Sequence, residues 1–302
     1  MDSLAVASLK QYDVYLRKWW NYLDDKNLVF TAPRAVIISF LQSLHDNGAS
    51  YSALNSARSA ISLISDSKDA IGEDAVIKRF MKGAFRRKPQ LPKYKISWDP
   101  QVVLTYLENI YPHDSVSLET LSKKLATLLA LATGQRVQTL SLIKIQNIME
   151  RADGFCVPIT EMIKTSAPGR TQPLLFLPYF IEKPELCVAS LLKFYLDCTK
   201  ELRKHSDNLF VSFRQPHGSV GSQTLSRWIK DVLKASGLDT SIFSSHSTRH
   251  ASTSQALLKG VDINYIFAAA GWTKTSTSFA KFYCKPISDR SAFCRGVFGL
   301  ES

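Results

Sequence analysis

The sequence predicts a mainly helical protein with a small antiparallel sheet, an α+β fold. Apolar residues recur at helical spacing towards both ends of the 302-residue chain, whereas strand and turn patterns are confined to residues 145–177. A chain of this length exceeds one average domain. Its residues are 45% hydrophobic and 21% charged, a composition that supports buried cores and excludes a disordered polyelectrolyte. We therefore expect two folded domains.

Residues 1–90 are expected to form a compact bundle of four short helices. The helical segments, read from the spacing of their apolar residues, are 4–23, 35–44, 50–64 and 73–85. Trp19 and Trp20 are interpreted as core residues rather than as a base-stacking site.

A basic segment with two prolines follows the bundle at residues 85–95 and reads F-R-R-K-P-Q-L-P-K-Y-K. Prolines favour an extended linker over a helix, so we place the domain boundary here, between residues 90 and 91. A solvated linker, a track for a phosphate backbone and a nuclear import signal all fit this composition. The basic residues that would contact DNA are Arg86, Arg87, Lys88, Lys93 and Lys95.

The second domain, residues 91–302, opens with helices. A buried helix is predicted to end at Thr133-Gly134, because glycine is a common left-handed helix cap. Arg136 follows at once, before the next helix starts at Val137. An Arg between two packed elements suits a phosphate clamp, although a surface Arg at a helix start would give the same pattern.

The predicted sheet is a three-stranded meander with strands at 145–149, 155–163 and 171–177. Lys164 is expected at the turn between the last two strands, and Arg170 is a competing basic residue on the same turn. Most turn lysines are merely solvated, so the pattern alone gives Lys164 no role.

Two further helices are predicted at residues 184–204 and 222–236. In the second helix, apolar residues form one buried stripe that ends at Gly237. Arg227 and Lys230 lie off that stripe, where they would meet phosphates.

Residues 245–286 combine several reactive side chains. One helix face is expected to present four residues at positions i, i+3, i+4 and i+7: His246, Arg249, His250 and Thr253. That helix should stop at Gly260, a short second helix should end at Gly271-Trp272, and a third should carry Tyr283. A guanidinium for charged oxygens, imidazoles for proton transfer and a phenol as nucleophile together suit a phosphodiester.

Composition narrows the partners. Lys and Arg number 38 against 26 Asp and Glu, a net charge of +12 that favours nucleic acid over a membrane surface. No run of 18 apolar residues and no signal-peptide pattern is present, so we expect no membrane span. The five cysteines form no C-x-x-C pair, which is typical of reduced thiols in an intracellular compartment.

The sequence lacks the motifs of zinc enzymes, serine hydrolases and ATP-driven enzymes. His246 and His250 have zinc-helix spacing, but H-S-T-R-H lacks the Glu of H-E-x-x-H and carries an Arg that repels a cation. We therefore expect no metal. No G-x-S-x-G elbow and no P-loop occur, which argues against a serine hydrolase and against ATP-driven chemistry.

H-S-T-R-H, A-G-W and F-Y together resemble the C-terminal signature of tyrosine recombinases, also called the phage integrase family. T-G-Q-R resembles the family's first catalytic arginine motif, and K-T-S its lysine hairpin. A-T-G-Q-R and H-S-T-R-H-A-S-T-S are similar to the branch carried by eukaryotic mobile elements of the DIRS and Crypton kinds. The resemblance covers most of residues 1–290. Six residues stand in the family's catalytic order: Arg136, Lys164, His246, Arg249, Trp272 and Tyr283.

The resemblance implies a core-binding domain at residues 1–90, which grips one face of the duplex, and a catalytic domain at 91–302. It implies cleavage and rejoining of DNA through a 3′-phosphotyrosyl bond, with no cofactor and no metal. The partners would be double-stranded DNA and further copies of the chain, as a dimer on one site and a tetramer in synapsis. In a eukaryote the protein would act in the nucleus.

The resemblance also assigns roles. Tyr283 would attack the phosphorus, Arg136 and Arg249 would stabilise the charge that develops, and Lys164 would protonate the departing 5′ oxygen. A phenol with a pKa near 10 needs a base, for which His246 is the best candidate.

Two supporting residues complete this assignment. Trp272 would donate a hydrogen bond to the phosphate, and His250 would orient Arg249 or its helix. Two positions depart from the family: Thr139 stands where an acidic residue is common, and Trp272 where many members have His.

Three alternatives to a recombinase remain at this point. DNA relaxation like that of type IB topoisomerases shares the chemistry. A domesticated, catalytically silent DNA-binding protein would not need all six residues. A helical adaptor that binds proteins explains neither the charge nor the motifs.

Overall fold

The computed structural model describes residues 4, 6–28, 33–65, 71–89, 96–203 and 206–272. The chain divides into two units, residues 1–92 and 93–302. Helices dominate both units and a three-stranded antiparallel sheet lies in the second, which confirms the predicted fold class. The separate roles of the two domains stay predictions.

Four helices build the first unit: α1 (Val6–Asp24), α2 (Arg34–Asp46), α3 (Tyr51–Ser62) and α4 (Ala75–Arg87). Trp19 lies in their shared core, where its ring meets Phe40 edge to face with 5.0 Å between centroids. Trp20, one residue further around α1, is 60% exposed. The core interpretation is therefore confirmed for Trp19 and wrong for Trp20.

Helix α4 extends further than the sequence predicts. Asp74 caps its start by accepting hydrogen bonds from the backbone N–H groups of Val76 and Ile77. The residues expected to open an extended linker, including Arg86 and Arg87, instead form the last turn of the helix. Proline disfavours the helical conformation at the residue before it, here Lys88, so α4 continues through Arg87 and ends at Lys88. Residues 90–95, with Lys93 and Lys95, lie outside the described residues.

The second unit is built around one buried helix, α6. Its helices are α5 (Pro100–Glu108), α6 (Leu118–Thr133), α7 (Val137–Ser141), α8 (Val188–Thr199), α9 (Ser222–Ala235), α10 (Ser247–Leu258) and α11 (Ile263–Ala270). Helix α6 contacts α7, α8, α9 and α10, and buries Leu125 and Leu129 completely. It ends at Gly134 in the left-handed conformation, as predicted. Among the described residues, no helix is both long enough and apolar enough to cross a bilayer.

The sheet consists of β1 (Met149–Arg151), β2 (Gly154–Pro158) and β3 (Leu174–Pro178), paired antiparallel in that order. Its topology is confirmed, but its strand bounds are wrong. Residues 145–147 form a 3₁₀ turn, because the Ile145 N–H bonds to the Asp207 carbonyl rather than to a strand. Pairing of β2 ends at Pro158, so Lys164 lies in a long loop between β2 and β3 rather than at a tight turn.

Lys124 is an unusual member of the core, since its side chain is completely buried in α6. Its ammonium donates to the Ile110 carbonyl at 2.7 Å. Burial lowers the pKa of Lys124 to about 8, and the carboxylate of Glu185 offsets this effect only in part. Keeping this buried ammonium charged at neutral pH costs roughly 3 kcal/mol of folding free energy.

We expect Lys124→Met to raise the free energy of unfolding at neutral pH by about 2 kcal/mol, after about 1 kcal/mol is lost with the hydrogen bond. Between pH 8 and pH 10.5 the unfolded wild-type chain binds more protons at this site than the folded chain, so wild-type stability rises with pH. The advantage of the variant should therefore fade across that window in denaturant unfolding.

Lys123→Met is the matched control for this prediction. Burial disfavours the charge of Lys123, but hydrogen bonds to Glu119 and Asp231 outweigh it and raise the pKa of Lys123. Replacing Lys123 should therefore destabilise the protein. A Lys124→Met advantage that does not change with pH would contradict the assignment of its cost to charge burial.

Candidate active site

A buried guanidinium lies at the centre of the candidate site. Arg249 on α10 is only 1% exposed. Its Nη1 donates to the carbonyl of Gly134 at 2.6 Å, across 115 residues of sequence. On the other side, its guanidinium carbon lies 4.0 Å from the centroid of the Trp272 ring. A carbonyl and an aromatic face thus fix the plane of a permanent cation.

Gly134 permits this close packing. Its φ of +58° lies in the left-handed region, which favours glycine. A Cβ at this position would lie 3.4 Å from Thr253 Cγ2 and 3.6 Å from Ala270 Cβ. The end of α6 therefore abuts both α10 and α11.

Arg136 lies two residues beyond the carbonyl that Arg249 holds. It is the half-buried N-cap of α7, and its side chain makes no hydrogen bond or ion pair with any described residue. Between them, Gln135 donates from Nε2 to the Ala269 carbonyl near the end of α11, at 2.6 Å. The structure therefore brings the Arg136 loop, the Arg249 helix and the segment before Trp272 to one place.

The two histidines lie at the start of α10. His246 is the exposed N-cap residue of the helix, and His250 is buried one turn later. Their ring centroids are 5.6 Å apart and the rings are nearly perpendicular, at 81°. Thr253 does not join this pair, because its hydroxyl donates to the Arg249 carbonyl. The exposed imidazole is the one that solvent or a substrate can reach.

Lys164 is not part of this packed arrangement. Its side chain is exposed in the β2–β3 loop and makes no hydrogen bond or ion pair with a described residue. Arg170, in the same loop, donates from Nη1 to the Thr165 carbonyl at 3.1 Å. Tyr283 lies outside the described residues. The structure thus unites four of the six predicted catalytic positions, namely Arg136, His246, Arg249 and Trp272.

The other predicted DNA contacts lie on exposed surfaces. Arg227 and Lys230 are exposed on α9, and Arg86 and Arg87 on α4. Lys88 donates to the Gly48 carbonyl at 2.9 Å, which fixes the end of α4. In the described part of the chain, no three His, Cys, Asp or Glu side chains gather as metal ligands would.

Sequence reasoning missed two supports of the site, Trp98 and Gln135. The indole N–H of Trp98 donates to Ser247 Oγ at 2.8 Å, and that hydroxyl donates to the Ser244 carbonyl. This pair ties the start of α10 to the segment before α5. A buried Trp requires a partner for its N–H, but the sequence does not identify that partner. Gln135 lies inside the T-G-Q-R motif, in which only the Arg has a predicted catalytic role.

The comparisons with known proteins agree with this geometry. The profile of the phage integrase family matches residues 105–286, which is more than half of the chain. The chain belongs to the phage integrase family. No curated relative matches it by sequence. The matched residues include all six predicted catalytic positions: Arg136, Lys164, His246, Arg249, Trp272 and Tyr283.

Solved structures of recombinases share the fold at low sequence identity. The XerH site-specific recombinase in a post-cleavage complex with its difH substrate matches with a TM-score of 0.67 and 16% identity, over 98% of this chain and 81% of that one. The Tn1549 transposon integrase in complex with transposon right end DNA matches with a TM-score of 0.61 and 13% identity, over 95% of this chain and 93% of that one. A lambda integrase dimer bound to a core site matches with a TM-score of 0.57 and 19% identity, over 95% of this chain and 91% of that one. These likenesses establish the fold of this integrase-family chain.

We expect Gln135→Leu to lower the free energy of unfolding by about 0.5–1.5 kcal/mol, because the hydrogen bond from the Gln135 side chain to the Ala269 carbonyl is lost. Hydrogen exchange at the end of α11 should become faster. Gln138→Leu is the control, since Gln138 is exposed and its side chain forms no hydrogen bond with a described residue. Equal effects of the two variants would contradict a linking role for Gln135.

Proposed function

We propose that this protein is a site-specific DNA recombinase or integrase, transposase-like, that cuts and rejoins duplex DNA through a 3′-phosphotyrosyl intermediate. The observation that carries the proposal is the buried guanidinium of Arg249, held against the loop of Arg136. Membership of the phage integrase family and the likeness to DNA-bound recombinase structures support it.

The proposed mechanism follows from the placement of charge. Attack on a DNA phosphate builds negative charge on its non-bridging oxygens. Arg249 enters this step already oriented, because the Gly134 carbonyl and the Trp272 ring hold its plane. A donor fixed before reaction stabilises developing charge without a reorganisation cost. Arg136 supplies the second guanidinium.

Proton transfer is divided between the nucleophile and the leaving group. Tyr283 is the proposed nucleophile, and the exposed imidazole of His246 is the proposed base for its phenol. Lys164 is the proposed acid for the departing 5′ oxygen, with the loop that carries it closing on DNA. The bond to tyrosine retains the energy of the cleaved linkage, so rejoining requires no nucleotide.

Assembly and cellular setting are further parts of the proposal. We infer a dimer on one site and a tetramer in synapsis, supported by the lambda integrase tetramer bound to a Holliday junction. The A-T-G-Q-R and H-S-T-R-H-A-S-T-S motifs support the eukaryotic mobile-element branch. In that setting the protein would be nuclear, which microscopy of the tagged full chain would test.

Incubation with a nicked suicide duplex should trap a covalent protein–DNA adduct, and Tyr283→Phe should abolish it while DNA binding persists. Only the phenolic hydroxyl is removed, so the loss is specific to nucleophilic attack. Adduct formation is measured by denaturing gel electrophoresis. Tyr265→Phe, at an exposed α11 position, is the control. An adduct that survives Tyr283→Phe would place the nucleophile elsewhere.

Lys164→Ala should slow cleavage by about 10²–10⁴-fold on ordinary DNA, the usual contribution of a general acid. A bridging 5′ thiolate leaves without a proton, so cleavage of that substrate should be largely restored in single-turnover assays. Arg170→Ala, in the same loop, should change neither rate. If Arg170→Ala instead slowed cleavage of ordinary DNA and the thiolate substrate restored it, the acid role would belong to Arg170.

A further inference from the structure

A cationic groove runs along α4 in the first unit. The groove has a volume of about 570 Å³, and its lining is Ala75, Lys78, Arg79, Lys82, Gly83 and Arg86. Lys78 is paired with Glu73, whereas Arg79, Lys82 and Arg86 form no ion pair with a described residue. These three cations follow one another at helical spacing, so they form a row over about 10 Å of helix.

Gly83 interrupts this row in the middle of the helix. Glycine destabilises a helix interior relative to alanine, so its presence requires a reason. Packing does not supply one, because no described atom outside the two neighbouring residues and the local backbone of α4 lies within 4 Å of the position that a Cβ would occupy. Backbone conformation does not supply one either, since the residue is helical. The space that a side chain at residue 83 would enter is therefore not filled by any described residue.

A smaller pocket borders the same glycine from the α2 side. Its volume is about 150 Å³, and its lining includes Gln42, His45, Phe80, Gly83 and Arg87. His45 Nε2 is buried and has no hydrogen-bond partner among the described residues. Arg87 forms no ion pair with them. Gly83 thus separates two cavities, and each has hydrogen-bond donors in its lining.

We propose that Gly83 is a positioning residue for DNA, the point at which a backbone phosphate approaches the main chain of α4. This inference rests on the proposed function. Its motivation is the combination of cations that form no ion pair with a described residue and a space beside Gly83 that no described side chain fills. Charges on a DNA strand follow one another about every 3.4 Å along the axis, so a row of this length can meet more than one phosphate. A methyl group at residue 83 would hold the strand away from these cations.

Gly83→Ala should affect the stability of α4 and its binding to DNA in opposite directions. Alanine should leave the melting temperature unchanged or raise it. Binding of the full-length chain to a labelled mixed-sequence duplex should nevertheless weaken about fivefold or more, measured by fluorescence anisotropy. Gly72→Ala is the matched control, because Gly72 also has no described atom near its Cβ position but lies beside the acidic Glu73 and Asp74.

A double-mutant cycle tests how Gly83 acts. Lys82→Gln should weaken binding and reduce the salt dependence by about one phosphate contact. If Gly83 brings phosphate to this cation, the two substitutions together should weaken binding by less than the product of their separate effects. Fully multiplicative effects, or unchanged binding by Gly83→Ala, would overturn the inference. Wild-type protein that binds no duplex would instead refute the proposed function.

Discussion

The candidate site depends on the burial of one permanent cation. Removing a guanidinium from water is costly, and Arg249 cannot lose its charge to escape that cost. The Gly134 carbonyl and the Trp272 ring offset part of it, and both come from outside α10. The fold therefore has to bring two distant segments to this side chain, and doing so also determines where the Arg136 loop lies.

Two left-handed glycines make that convergence possible. Gly134 ends α6 and Gly271 ends α11, each with positive φ. A Cβ on Gly271 would lie 3.6 Å from the side-chain nitrogen of Gln135, so the Gln135 amide packs directly against the end of α11. The hydrogen bond from Gln135 to Ala269 then joins the two helix ends. Sharp helix stops thus serve packing as well as chain reversal.

The sequence predicts individual helices and strands better than the contacts between them. Helices α6 and α9, the left-handed stop at Gly134 and the order of the sheet follow from local periodicity and turn chemistry, so they could be predicted. The strand bounds could not, because Ile145 bonds to Asp207, a partner far along the chain. Helix α4 extends to Arg87 because Pro89 restricts the backbone of Lys88 and not of the residues before it.

The same limit applies to the site. Arg136 and Arg249 were predicted from motifs, and the structure places their segments together. Trp98 and Gln135 were missed, because a hydrogen bond between segments more than 130 residues apart leaves no periodic signal. The buried Lys124 resembles any helical lysine until its neighbours are known.

The long sequence separation between Gly134 and Arg249 has a consequence for biosynthesis. A ribosome releases the Arg136 loop well before it has made α10 and α11, so the loop waits without its packing partners. A nascent or prematurely terminated polypeptide therefore lacks the assembled pair of guanidinium groups. Under the proposed activity, strand cleavage would therefore begin only after α10 has been released and has packed against the Arg136 loop.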